Sequence, residues 1–139
     1  TSPPSARCVW WRRLKHWFVS KTPACRGFFI AHPIPMITLS LLIKNEPAVT
    51  SAALRFAKAS SDADARMHCV FFYGKGVLHA TGPEKQFWSD WSRLVGARLV
   101  LCSASAETFG LIADDDFSVE GLGELIEAGL TSDKVVNFG

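Results

Sequence analysis

From residue 36 onward, short apolar runs alternate with segments whose apolar residues recur at helical spacing. The runs are MITLSLLIKN at 36–45, MHCVFFY at 67–73, ARLVLC at 97–102 and KVVNF at 134–138. Short apolar runs that end at turn residues are typical of strands covered on both faces of a sheet. The pattern predicts four such strands and leaves open a further short strand near residue 117.

The segments between these runs have the spacing of helices. The segment 46–63 has apolar side chains on one helical stripe, and Pro47 suits a first helical turn. That stripe consists of Val49, Ala52, Ala53, Phe56 and Ala57. A second helix is predicted from about Pro83 to Gly96, a short helix or turn at 103–112, and a last helix within 117–133.

Strands that alternate with helices predict an α/β fold. Right-handed crossovers place helices on both faces of a mainly parallel sheet, so we expect three α/β/α layers around about five strands. The carboxyl ends of parallel strands meet at one edge, where functional groups gather. The loop Asn45–Glu46, the loop Gly74–Gly76 and the segment that starts at Cys102 should therefore share one rim.

Residues 1–35 differ from the remainder of the chain. They contain three of the five tryptophans, prolines near both ends and no sustained period of 2 or 3.6. We interpret them as a non-core extension upstream of a natural start at Met36, followed by one domain at 36–139. A basic tail for nucleic acid or membrane and an Arg-rich transit peptide are the alternatives.

The charge is distributed unevenly along the chain. Six of the fifteen Lys and Arg residues lie in 1–35, so the other nine accompany all thirteen acidic residues in 36–139. A mildly acidic domain argues against direct nucleic-acid binding, which needs clustered basic side chains. No apolar stretch approaches the roughly 20 residues that cross a bilayer, so no membrane partner is expected.

The four cysteines show neither a CxxC motif nor the spacing of a zinc site. Free thiols in a cytoplasmic protein without metal or cofactor are the simplest interpretation. Cys69 alternates with aromatic residues inside a predicted strand, which indicates a packing role. Cys102 lies where a strand ends and small residues that could begin a helix follow, so its sulfur is expected in a cleft near solvent and near helix N–H groups that favour a thiolate.

Other residues with chemical potential have simpler interpretations. His79 is expected on an exposed loop and His68 in a structural position, so neither supplies Cys102 with an evident base. Asp114–Asp116 lack the spacing of an EF-hand, and GKG and GLG lack that of nucleotide-binding loops. Trp88 and Trp91 are expected in the core or at a subunit contact.

Three segments together resemble one family. VFFYGKGV at 70–77, the cysteine-bearing strand end at Cys102, and GLGELIEAGLTSDKVVNF at 121–138 resemble the TusD/DsrE family of intracellular sulfur-relay proteins. The resemblance covers 36–139 and implies a DsrE-like domain. It also implies a sulfurtransferase in which Cys102 is the catalytic residue, carrying sulfane sulfur as a persulfide between an upstream and a downstream sulfur-carrier protein.

The resemblance further implies a hetero-oligomer with TusB- and TusC-like subunits and a role in 2-thiolation of the tRNA wobble uridine. A DsrE-type relay in sulfur oxidation is the alternative within the family. Family members tend to carry arginines shortly after the cysteine, where this chain has Glu107, and a carboxylate facing the site would oppose a thiolate. Outside that role, the domain could be a non-catalytic assembly subunit with a Trp88/Trp91 interface, or a small-ligand-binding protein.

Overall fold

The computed structural model describes residues 36–139. The predictions for 1–35, including their interpretation as an extension before Met36, concern residues outside those described. Within the described residues, no helix combines the length and apolar character needed to cross a membrane.

The described chain forms five strands, four α-helices and one 3-10 helix. The strands are β1 (Thr38–Ile43), β2 (Arg66–Phe72), β3 (Arg98–Cys102), β4 (Phe117–Glu120) and β5 (Lys134–Phe138). The α-helices are α1 (Ser51–Asp62), α2 (Glu84–Val95), α3 (Ser103–Phe109) and α4 (Leu122–Thr131), and the 3-10 helix spans Gly74–Ala80. All four predicted strands are present, and the short strand near residue 117 is the fifth.

The five strands form one parallel sheet in the order β4-β3-β2-β1-β5. The chain moves in one direction from β1 to β4, and α4 then returns it across the sheet to β5. Right-handed crossovers in opposite directions lie on opposite faces of a sheet. Helices α1, α2 and α3 therefore cover what we call the first face, and α4 covers the second face, which gives the predicted three layers.

Strand side chains alternate between these two faces. The first face buries the larger apolar cluster, in which strand residues such as Phe72 and Leu101 meet Trp88 of α2 and Ala57 of α1. The second face has a smaller cluster of Phe71, Val100 and Cys102. This unequal division determines the surroundings of the candidate site.

The helix boundaries agree with the prediction at α2 and differ at α1. Pro83 precedes α2, and Gly96 ends it with a left-handed φ of 71°. Helix α1 begins at Ser51 and not near Pro47, because the Thr50 hydroxyl donates to the carbonyls of Asn45 (3.0 Å) and Glu46 (2.8 Å) and holds this segment in a turn. Val49 is consequently exposed and does not belong to the packed stripe.

Candidate functional site

The loops after β1, β2 and β3 meet at one rim of the sheet, as expected. The Gly74 N–H donates to Ser105 Oγ at 2.8 Å, and the Gly76 N–H donates to the Lys44 carbonyl at 2.7 Å. A Cβ at Gly76 would lie 2.0 Å from the Ile43 carbonyl oxygen, so only glycine permits this approach. The glycines of this loop thus hold the three strand ends together.

Cys102 lies on this rim, at the junction of β3 and α3. It is the N-cap residue of α3, yet no hydrogen bond joins its side chain to the helix N–H groups. Only 6% of Cys102 is exposed. The expected position at the start of a helix is therefore confirmed, but the expected open position near solvent is wrong, because Cys102 packs into the second-face cluster.

Three partly buried side chains pack against that cluster, namely Leu42, Tyr73 and Leu125. Tyr73 follows Phe72, whose register partner is Leu101, and this register places Tyr73 beside Cys102. The Tyr73 hydroxyl donates to Asn137 Oδ1 of β5 at 3.2 Å. The ring of Tyr73 is thereby tethered to β5. Leu125 of α4 packs against the same cluster.

A carboxylate lies on the other side of the cysteine. Glu120 of β4 is the register partner of Cys102, and neighbouring partners in a parallel sheet project on the same face. Glu107, the residue that departs from the family pattern, is an exposed side chain of α3. The acidic group in register with Cys102 is thus Glu120, which the sequence could not single out because the β3–β4 register was unknown.

Cys69 has the packing role that the sequence predicted. It is fully buried, and its Sγ lies 3.6 Å from Ser40 Oγ, to which the thiol donates. Burial raises the pKa of the Cys69 thiol, and the Ser40 hydrogen bond and the charge of Arg98 oppose that rise only in part. A buried thiol with a raised pKa is a poor nucleophile at neutral pH.

The prediction that His79 lies on an exposed loop is wrong. The 3-10 helix turns His79 into the first-face core, where its Nδ1 accepts a 3.0 Å hydrogen bond from Trp88 Nε1–H. Its Nε2 is buried and has no hydrogen-bond partner among the described residues. Burial lowers the pKa of His79, and its interactions with Asn45 and Glu84 oppose that change only in part. It is a neutral core residue and faces away from Cys102.

The two tryptophans and the Asp114 turn have structural roles. Trp88 and Trp91 are buried, so the expected core position is confirmed and an interface formed by them is wrong. Asp114 accepts the N–H groups of Asp116 and Phe117 and pairs with Lys85 at 2.6 Å. His68 is half-buried beside two glutamates of α4.

Comparison with known proteins identifies the class of this domain. The model of the DsrE/DsrF-like family matches residues 39–138. Sulfurtransferase TusD of Salmonella arizonae is 34% identical over 111 residues, covering 63% of this chain and 87% of that protein. Sulfurtransferase TusD of Salmonella typhi is 32% identical over 111 residues with the same coverage.

A solved structure has the same fold. It is that of a conserved protein of unknown function from Bacteroides thetaiotaomicron, with a TM-score of 0.59 and 17% sequence identity. The match covers 73% of this chain and 94% of that one. It supports the three-layer architecture.

Proposed function

The chain belongs to the DsrE/DsrF-like family, and on that premise we propose that it is a sulfurtransferase subunit carrying sulfane sulfur on Cys102. The observation that carries the proposal is the position of Cys102. It is the cysteine at the carboxyl end of a central strand, within the region that matches the family. Cys69, the other cysteine of the described domain, is fully buried and hydrogen-bonded.

The proposed reaction exchanges one sulfur–sulfur bond for another. The Cys102 thiolate attacks the outer sulfur of a donor cysteine persulfide, the donor's S–S bond breaks, and the donor leaves as a thiolate. Cys102 then holds a persulfide, and an acceptor cysteine thiolate attacks its outer sulfur and releases the Cys102 thiolate. Each thiol proton passes to the departing thiolate through solvent. The sum of oxidation states is unchanged, so no cofactor is required.

The burial of Cys102 indicates how transfer of sulfur to this residue would be controlled. With 6% of the residue exposed, a donor cysteine reaches the sulfur only when neighbouring side chains shift, and Tyr73 and Leu125 are two of those packed against the cluster that contains Cys102. Leu125 belongs to α4, the one helix on the second face. A partner bound to α4 would therefore act directly on access to Cys102.

Helix α4 has a surface suited to such a partner. Leu122, Ile126 and Leu130 form a row at four-residue spacing and are 62%, 64% and 84% exposed. Exposed apolar rows of this kind are typical of protein contacts. This row supports assembly with partner subunits. From the similarity to TusD proteins we infer that these partners are TusB- and TusC-like subunits in the cytoplasm and that the pathway is tRNA wobble-uridine 2-thiolation, with sulfur oxidation as its alternative.

The near-complete burial of Cys102 favours a second candidate function. A domain whose cysteine is never exposed would act as a non-catalytic subunit that only completes such an assembly. In that case α4 would bind its partners while Cys102 remained a core residue.

The two functions are separated by weighing the intact protein after mixing it with a persulfide donor, alone and with partner subunits. A carrier gains one sulfur atom, Cys102→Ser abolishes the gain, and the matched control Cys69→Ser retains it. Sulfur uptake by Cys102→Ser at the normal rate would contradict the carrier. Wild-type protein that assembles with its partners but never gains sulfur would support the assembly subunit.

Two further measurements test the partners and the pathway. Ile126→Glu should abolish copurification with the partner subunits, whereas Leu94→Glu, at an 80% exposed position on α2, should not. Equal binding by both variants would exclude α4 as the contact. Loss of 2-thiouridine from the tRNA of cells lacking the protein supports the tRNA pathway, and unchanged 2-thiouridine contradicts it.

A further inference from the structure

A second cluster of reactive side chains lies on the second face, at the opposite end of the sheet from Cys102. It joins His68 of β2 to Glu124 and Glu127, which are three residues apart on α4. One ring nitrogen and one oxygen from each carboxylate all lie within 4.8 Å of one another. Side chains from two separate elements thus converge on one point.

A β-bulge directs His68 toward this cluster. Leu39 pairs with Met67 and Ser40 pairs with Cys69, so His68 has no register partner on β1. A bulge changes the direction of the extra residue's side chain and is frequent beside functional sites. In a regular strand, His68 would project on the face opposite Cys69, away from α4.

One ring nitrogen of His68 lacks a hydrogen-bond partner within the part of the chain that the structure describes. Its Nε2 is buried and has no hydrogen-bond partner among residues 36–139. A buried nitrogen without a partner costs free energy, and a metal ion is one group that would satisfy it.

The two carboxylates are held to different degrees. The side chain of Glu124 is only 10% exposed, and its Oε1 forms an ion pair with Arg98 of β3. Arg98 therefore competes with a metal ion for this carboxylate but leaves its second oxygen available. Glu127 is exposed and forms no ion pair among the described residues, so no salt bridge competes with a metal ion for its carboxylate.

We propose that His68, Glu124 and Glu127 bind a divalent first-row transition metal ion, with Zn²⁺ as the best match. One imidazole nitrogen and two carboxylate oxygens form a ligand set that Zn²⁺ accepts at about 2.0–2.2 Å. Mg²⁺ and Ca²⁺ prefer oxygen ligands alone, and no thiolate is present to select Cu⁺. Three protein ligands leave a fourth position for water. This site is independent of the sulfur chemistry at Cys102.

The test is titration of the chelator-treated full chain with Co²⁺, whose visible absorption reports ligand type, and with Zn²⁺ in competition with a chromophoric chelator. We expect one equivalent of Co²⁺ bound without a thiolate charge-transfer band. His68→Gln and Glu127→Gln should each weaken binding at least about tenfold, because loss of even a hydrogen-bonding partner of a metal ligand costs about 10- to 100-fold in affinity. Glu107→Gln, an exposed glutamate on another helix, is the matched control and should bind as the wild type does.

Arg98→Gln should change metal affinity in the opposite direction. It removes the cation that competes for Glu124, so metal affinity should rise several-fold, an effect that misfolding would not produce. Unchanged affinity in both His68→Gln and Glu127→Gln would overturn the proposal. So would a thiolate band that disappears with the cysteines, since the ion would then lie on sulfur.

Discussion

The two faces of the sheet are built differently. On the first face, three α-helices and the 3-10 helix cover the strands, and Trp88 and Trp91 fill the space between the layers. On the second face a single helix, α4, covers a smaller apolar cluster. Cys69, Cys102 and the cluster around His68 all belong to this thinner side.

Because the two faces are covered differently, we expect them to contribute to different properties, one to stability and the other to reactivity. Large aromatic side chains bury the most apolar area and contribute most to folding, but a group beneath them is inaccessible to a partner. A face covered by one helix exposes its reactive groups whenever that helix moves, and such local motion costs less than global unfolding. The first face should therefore control stability, and the second face should control access to Cys102.

The sharpest test of this division is truncation of one large side chain on each face. Trp88→Ala leaves a cavity next to Phe72 and removes the hydrogen-bond donor to His79. Such substitutions cost about 3–5 kcal/mol of unfolding free energy. Leu125→Ala, at a partly buried position of α4, should cost about 1 kcal/mol. Urea unfolding measures both values, and equal losses would refute the division.

Only one of these two variants should change the reactivity of Cys102. Leu125→Ala should speed alkylation of Cys102, because part of its cover is removed. Trp88→Ala should leave that rate unchanged under conditions where the protein remains folded. An acceleration by Trp88→Ala alone would mean that the first face controls access.

His79 should make the first face sensitive to acid. Burial holds the pKa of His79 below its value of about 6.5 in an unfolded chain. Between these two values the unfolded chain binds one more proton than the native protein, so the stabilisation is complete above about pH 6.5 and is lost as the pH falls toward the native pKa. The slope for one proton is at most about 1.4 kcal/mol per pH unit.

His79→Gln removes the titratable imidazole but keeps an acceptor for the Trp88 Nε1–H. Its unfolding free energy, measured between pH 7 and pH 5, should fall less steeply than that of the wild type. Identical slopes would show that the acid sensitivity does not arise from His79.

The sequence was sufficient to predict the element order, the parallel sheet and the rim, because strand runs and helical stripes are local patterns. It also placed Cys102 at the junction of β3 and α3. These features depend on hydrophobic periodicity and on the direction of crossovers, both of which can be read along the chain.

The surroundings of the site could not be predicted in this way. The cluster that buries Cys102 is covered in part by Tyr73, which follows β2, and by Leu125 of α4. The proximity of Glu120 depends on strand register. His79 looked exposed because it follows two glycines, but its pairing with Trp88 is a tertiary contact. The bulge at His68 leaves no signal in the sequence, since histidine is unremarkable within a strand.

A smaller effect is expected from the tether over Cys102. Tyr73→Phe keeps the ring and removes the hydrogen bond to Asn137. A hydrogen bond of this kind is worth about 1 kcal/mol, so alkylation of Cys102 should accelerate by up to about fivefold. Asn137→Ala should reproduce the effect from the other partner. If neither variant differs from the wild type, Leu125 alone is the barrier.

The smallest expected effect concerns charge beside Cys102. The attacking Cys102 thiolate and the departing donor thiolate are both anions, and the Glu120 carboxylate, on the strand adjacent to Cys102, disfavours negative charge at this point. Glu120→Gln should raise the rate of sulfur loading by about two- to threefold at low ionic strength, since exposed charge pairs contribute about 0.2–1 kcal/mol. Glu107→Gln is the matched control on α3 and should change the rate less. Added salt distinguishes an electrostatic effect from altered packing. The Debye length falls to about 8 Å at physiological ionic strength, so an electrostatic gain in the loading rate should become smaller. A gain for Glu107→Gln larger than that for Glu120→Gln would show that α3, and not β4, faces the incoming donor.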